Sequence, residues 1–143
     1  MIKYELTEEI KAPVDKVFAY STDFRNNAKW QDGVVESTPT PEGPTQLGTK
    51  FKTVRTFLGQ HLEATGEVTE FIPNKKFAFK ATSGTGQFNL AQTFESIPSG
   101  TKTTIRMELE PGGVFKLAEG ALAGNLKKTF ESQTAKLKEL MEA

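Results

Sequence analysis

Arg55, Glu8, Glu70, Gln92 and Thr53 are the residues whose types and spacing could do chemistry in this chain. Residues 47–58 and 61–72 alternate like two strands, and Gly59-Gln60 between them fits a two-residue type II′ turn. Closing the hairpin there opposes Leu58 with His61, Phe57 with Leu62, Arg55 with Ala64, Thr53 with Gly66 and Phe51 with Val68. Those residues share one face, because side chains alternate with period two. The other face pairs Thr56 with Glu63 and Lys52 with Glu67, a charge-matched, wet surface. Arg55 therefore falls on the apolar, inward side. A guanidinium there needs a carboxylate, a ligand oxygen or trapped water. Two readings follow. Arg55 is a cavity cation for a carboxylate, enolate or phenolate oxygen, or it forms an internal ion pair with Glu8 or Glu70, which share its inward parity.

Gln92 faces inward between Phe77 and Ile105. It either hydrogen-bonds a polar ligand group or a buried water, or reaches solvent near a sheet end. Thr53 and Thr103 share the parity but are ordinary strand residues. Glu8 or Glu70 would act as a general base only if burial raised its pKa, and Glu70 lies beside a turn. Trp30 either anchors the short helices or shields a cavity mouth. His61 falls on the outer face. Phe57, Phe79, Phe88 and Phe94 are core residues that line a pocket if one exists. Gly84 and Gly86 precede no helix, so they make no phosphate loop.

The elements that must position these groups are legible from pattern. The chain has 143 residues, the size of one domain, so a single domain over 1–143 is expected. Residues 2–10 alternate, with Ile2, Tyr4, Leu6, Glu8 and Ile10 inward. Pro13 suits a helix start, and Val14, Val17 and Phe18 form the stripe of a short helix. Thr22-Asp23 caps a second one ending near Trp30. A short strand spans 33–38 and a loop 39–48. Later turns at Pro73-Asn74-Lys75, Gly84-Thr85 and 97–101 set further hairpins. They oppose Ala81 with Phe88, Phe79 with Leu90, Phe77 with Gln92, Phe94 with Thr103 and, on the outer face, Glu95 with Lys102. Residues 114–142 carry Phe115, Ala118, Leu122, Leu126, Phe130, Leu137 and Met141 at helical period, thinned by Gly120, Ala121, Ala123 and Gly124. The fold class is α+β: a curved antiparallel sheet of about seven strands wrapped on a long C-terminal helix, with two short helices after the first strand.

Composition removes several function classes. Lysine plus arginine balance aspartate plus glutamate at 18 each, with no basic run to attract nucleic acid or an anionic membrane. No apolar stretch approaches a membrane span, and the N-terminal residues lack a signal-peptide core, so stable membrane insertion is not expected and the expected location is cytoplasmic. There is no cysteine and only one histidine, which lowers the prior for metal sites and histidine triads. No metal and no cofactor are expected.

The order of elements resembles the helix-grip fold of the START-like superfamily, also called SRPBCC. The likeness is strongest to the branch named for polyketide cyclases, dehydrases and lipid transport. It rests on Ile10-Lys-Ala-Pro-Val-Asp-Lys-Val-Phe18, on Asp23 with Trp30, and on Leu47-Gly48-Thr49-Lys50-Phe51. It continues through Phe57-Leu58-Gly59, Glu67-Val68-Thr69-Glu70-Phe71-Ile72-Pro73, Gly100-Thr101-Lys102-Thr103 and Leu137-Lys138-Glu139-Leu140. The resemblance implies a hydrophobic cavity between sheet and helix, and it supplies no catalytic motif.

The resulting expectation is a binding protein for a small, mostly hydrophobic molecule carrying one acidic or carbonyl oxygen. Its ligand residues would be Arg55, Gln92, Thr53, Phe57, Phe79, Phe88, Trp30, Glu70 and Glu8. The expected cavity holds roughly 300–1,000 Å³, where inward Ala64, Gly66 and Ala81 face the thin helix stretch. The alternatives are a metal-free cyclase or dehydratase using the same cavity, with no catalytic residue assigned, and an adaptor like the chaperone-ATPase activators. Either a monomer or a homodimer is compatible with the pattern.

Overall fold

The computed structural model describes residues 1–31, 33–40, 43–57, 59–83 and 86–143, and of 57, 114 and 115 the backbone alone. Strand β1 (Ile2–Ile10) leads to helix α1 (Val14–Thr22), a 3-10 turn (Phe24–Asn26) and helix α2 (Asn27–Trp30). Strands β2 (Val34–Thr40), β3 (Lys50–Phe57), β4 (Gln60–Ile72), β5 (Lys76–Ser83), β6 (Gly86–Ile97) and β7 (Gly100–Pro111) follow. The chain ends in α3 (Val114–Leu117) and α4 (Glu119–Glu142). The seven strands form one antiparallel sheet in the order β1-β7-β6-β5-β4-β3-β2. This is the α+β helix-grip architecture that the periodicities and the resemblance implied.

Two of the later hairpins keep the expected register. Phe77 opposes Gln92, Phe79 opposes Leu90, Phe94 opposes Thr103 and Glu95 opposes Lys102. The turn residues Gly84 and Thr85 themselves lie outside the described residues. The β3–β4 hairpin closes one step earlier than expected, at Phe57 and Gln60, and His61 opposes Thr56; Leu58, its expected partner, lies outside the described residues. Arg55 consequently opposes Leu62, Thr53 opposes Ala64 and Phe51 opposes Gly66. Gly59 has φ +77° and is the second loop residue. Glycine meets a positive φ equally well at either loop position, so its presence alone does not choose between them. The slip is two residues, so every side chain keeps its face. Lys52 now opposes Thr65 and reaches Glu63 diagonally at 3.5 Å, instead of facing Glu67.

A β-bulge between Val68 and Glu70 changes parity on β4. It turns Phe71 into the core, against Phe18 and Phe77, and turns Glu70 outward. The expectation that Glu70 shares the inward face of Arg55 is corrected on this ground.

The long helix is divided. Ala118, at φ −111° and ψ 31°, separates α3 from α4, and Leu117 just before it is 92 % exposed. Helix α4 rests chiefly on β1 and buries Leu122, Phe130 and Leu137, together with Gln133 and Thr134. Tyr4 of β1 meets the Phe130 ring at 5.9 Å. At the other end, Lys138 Nζ donates to the Glu9 carbonyl at 2.7 Å, and Glu142 Oε2 accepts from Lys11 N at 2.8 Å. Backbone hydrogen bonding from Lys11, then side-chain bonding from Lys138, holds the Glu142 carboxyl below its ordinary pKa.

The core falls into two clusters. One gathers Phe18, Phe24, Trp30, Phe51, Phe77, Phe94 and Leu137; the other gathers Ile2, Ile105, Met107, Leu109, Leu122 and Phe130. Partly buried Phe88 packs on both.

Candidate functional site

A cavity of about 120 Å³ lies between sheet and helices and draws its walls from both core clusters. It is smaller than expected because aromatic rings occupy the space. Phe24 stacks on Phe51 at 4.6 Å, Phe51 meets Phe79 edge-on at 5.0 Å, and Phe79 meets Phe88 edge-on at 5.6 Å. Offset and edge-to-face contacts of this kind fix ring orientation as well as volume. The Phe51 ring also lies across Gly66, where an added Cβ would come within 2.6 Å of its Cζ. Gly66 thus makes room for a ring and not for a ligand.

The helical side of the cavity differs from the expected one. Gly120 and Gly124 have open space beside them. Gly120 precedes Leu122 by two positions, and Gly124 follows Leu122 and precedes Leu126 by two, roughly 200° around the helix. The helix residues that line the cavity are Leu126, Phe130 and Gln133. The remaining wall comes from the segment after β1. Ser21 lies on the α1 stripe with Val17 and Phe18, and Asp23 caps the 3-10 turn that presents Phe24. Asp23 Oδ1 accepts from Arg25 N at 3.0 Å and Nε at 2.9 Å, and Oδ2 accepts from Nη2 at 2.9 Å. Hydrogen bonding from the Arg25 side chain is the main reason its carboxyl sits below the ordinary pKa.

Of the residues singled out from sequence, Arg55, Gln92, Thr53, Phe79, Phe88 and Trp30 line this cavity. The Phe57 side chain lies outside the described residues. Glu8 and Glu70 are not among the described lining residues. Glu70 pairs instead with Lys76 at 3.0 Å, and Glu8 is one of the carboxylates whose charge raises the Lys138 pKa, behind the hydrogen bond that Lys138 donates to Glu142. Arg55 is half-buried, and its Nη2 donates to Gln31 Oε1 at 3.0 Å. Gln31 follows Trp30 directly at the C-cap of α2, so the arginine ties β3 to the short helices. It is the only ionisable residue among the described residues that line the cavity.

Gln92 is fully enclosed, and Nε2 donates to Thr103 Oγ1 at 3.0 Å, which in turn donates to the Thr93 carbonyl at 3.0 Å. Thr53 Oγ1 shares a hydrogen bond with Ser37 Oγ at 3.0 Å, and Asn27 Nδ2 donates to that same Ser37 at 3.2 Å. These chains pin the polar lining to its strands.

Sequence reasoning missed Ser21, Gln31 and Gln133. The signal for two of them was phase. Ser21 stands three and four positions after Phe18 and Val17, and Gln133 stands three after Phe130 and four before Leu137. Both are 4 % exposed. Ser21 Oγ, Trp30 Nε1 and Gln133 Oε1 are sealed from solvent with no hydrogen-bond partner among the described residues. Leaving such a group unmet costs about 1–3 kcal/mol. Among the described residues no cluster of three metal-ligating side chains occurs. No helix there is long and apolar enough to cross a membrane.

Comparison with known proteins follows the fold. The family model described as "Polyketide cyclase / dehydrase and lipid transport" matches residues 1–142. No curated protein matches the chain. Among solved structures, a conserved protein from Geobacillus kaustophilus is similar at TM-score 0.78 and 19 % identity, over 98 % of this chain and 95 % of that one. Protein CV1439 from Chromobacterium violaceum is similar at TM-score 0.76 and 17 % identity, over 100 % and 99 %. DynU16, a putative protein in the dynemicin biosynthetic locus, is similar at TM-score 0.71 and 18 % identity, with this chain covering 48 % of its length. These identities support a shared fold. The match over nearly the whole length makes the chain a member of the polyketide cyclase / dehydrase and lipid transport family.

Proposed function

We propose that the protein binds a small, mostly apolar molecule in the cavity between sheet and helices, with one acidic or carbonyl oxygen of the ligand facing Arg55. The observation that carries this reading is an aromatic-walled space of about 120 Å³ whose described lining includes a single ionisable side chain. A cavity of roughly 150 Å³ accepts one benzene ring, so a space of about 120 Å³ is near the size for a one-ring compound, or one end of a longer one, with small side-chain adjustments. Turnover would need a second titratable group beside Arg55, and the two carboxylates first considered for that role, Glu8 and Glu70, are not among the described lining residues. On the described lining residues, binding without chemistry is the reading we favour over a cyclase or dehydratase.

Toluene, benzoate and benzyl alcohol are the probes. Toluene titrated into the ¹⁵N-labelled protein should shift amide resonances of β5 and β6; no saturable shift would refute the cavity as a binding site. Arg55→Met should weaken benzoate about tenfold more than benzyl alcohol. Equal weakening would mean that Arg55 shapes the space and does not read charge.

A further inference from the structure

The cavity has a second polar feature besides Arg55. Ser21, Trp30 and Gln133 come from three different helices, α1, α2 and α4, and α4 packs against both of the others. Each side chain is more than nine-tenths buried, each belongs to the cavity lining, and each carries a polar atom with no partner among the described residues. Of the four such atoms in the described structure, only Thr134 Oγ1 lies on a residue outside the lining. Three of the four thus sit on helix residues of the cavity lining.

Their chemistry restricts what could meet them. An indole N–H only donates, an amide oxygen only accepts, and a serine hydroxyl does both. A partner must therefore accept from Trp30 and donate to Gln133. A carbonyl leaves the Gln133 oxygen unmet, and a hydrocarbon leaves all three atoms unmet. A carboxylate would sit among neutral groups, with its charge uncompensated on that wall. A neutral hydroxyl satisfies both demands with one oxygen.

We propose that Ser21, Trp30 and Gln133 form a neutral hydrogen-bonding subsite that reads a hydroxyl group, phenolic or alcoholic, on the bound molecule. This rests on the cavity-binding reading and adds a selectivity that the arginine does not supply. All three polar atoms are sealed from solvent in the described structure, so the Ser21, Trp30 and Gln133 side chains must adjust as the ligand enters.

Trp30 is the only tryptophan in the chain, so its indole gives one ¹H–¹⁵N resonance that reports on the subsite directly. Phenol, anisole and toluene are the probes, matched in ring and differing in hydrogen bonding. Phenol is expected to move the indole proton downfield well beyond the shift that toluene causes. Gln133→Met and Ser21→Ala are each expected to reduce the phenol-over-toluene preference about tenfold and fivefold, respectively, while toluene still binds. Anisole, which accepts but cannot donate, should be insensitive to Gln133→Met. Amide dispersion verifies folding, and Ser21→Ala carries the test if Gln133→Met does not fold. Equal indole shifts from phenol and toluene, or a preference that survives both substitutions, would overturn the subsite while leaving the cavity intact. Failure of toluene and phenol alike to bind would overturn the cavity reading and the subsite with it.

Discussion

Gly66 shows how a single residue can decide whether a cavity is open or filled. An added Cβ there would meet the Lys80 carbonyl at 2.3 Å and the Phe51 ring at 2.6 Å. Gly66→Ala should therefore destabilise the protein by about 1–3 kcal/mol, measured by urea unfolding, and should displace Phe51 into the cavity. A neutral result would mean that the ring has room to slide. Gln133 makes the opposite case. Its buried, unmet oxygen is a liability in the unliganded protein. Gln133→Met should raise stability by about 1 kcal/mol, and a loss of stability would show that the amide has a structural partner. The sequence showed Arg55, Gln92, Thr53 and Trp30 as candidates through strand parity and composition. Ser21 and Gln133 stayed hidden because polar residues on a helix stripe look like breaks in the stripe until the fold shows what they face.

At the scale of elements, the register of β5, β6 and β7 was legible because two later turns fix loop length and parity together. The β3–β4 hairpin was legible only to within two residues, since glycine tolerates either loop position. The β4 bulge left no mark in the pattern, and it reversed the roles of Glu70 and Phe71. Helix α4 depends on its buried stripe. Leu137→Ala should lower stability by about 2–5 kcal/mol, whereas Leu117→Ala, at 92 % exposed, should stay within about 0.5 kcal/mol of wild type. Similar losses at both sites would mean that α3 packs on something the fold does not show.

The clamp at the end of α4 should also be visible in the pH dependence. The Glu142 carboxyl is held below its ordinary pKa by Lys11 and Lys138, so the unfolded chain binds its proton more readily. The stabilisation is present above the ordinary carboxylate range and is lost as pH falls through the lowered value. Lys138 is raised, so its share is lost only as pH rises through a value above the ordinary lysine range. Glu142→Gln should therefore lower Tm at neutral pH, and the difference from wild type should shrink in acid. A difference that persists unchanged at low pH would assign the effect to packing.

On the scale of the whole molecule, the sequence conveyed the helix grip well. Seven strands, the short helices and the long one are each written in a local period, and only one way of covering the sheet is available. The position and size of the cavity were not written that way. They depend on how eleven phenylalanines share space, which is a property of packing and not of pattern. That cavity, lined by residues from both core clusters, also gives the native state excess volume. Hydrostatic pressure favours whichever state occupies less volume, typically by a few tens of mL/mol for a domain. The protein should thus unfold at lower pressure empty than when the space is occupied by an added aromatic molecule. The cavity would then act as a barometer of occupancy, readable from the Trp30 emission.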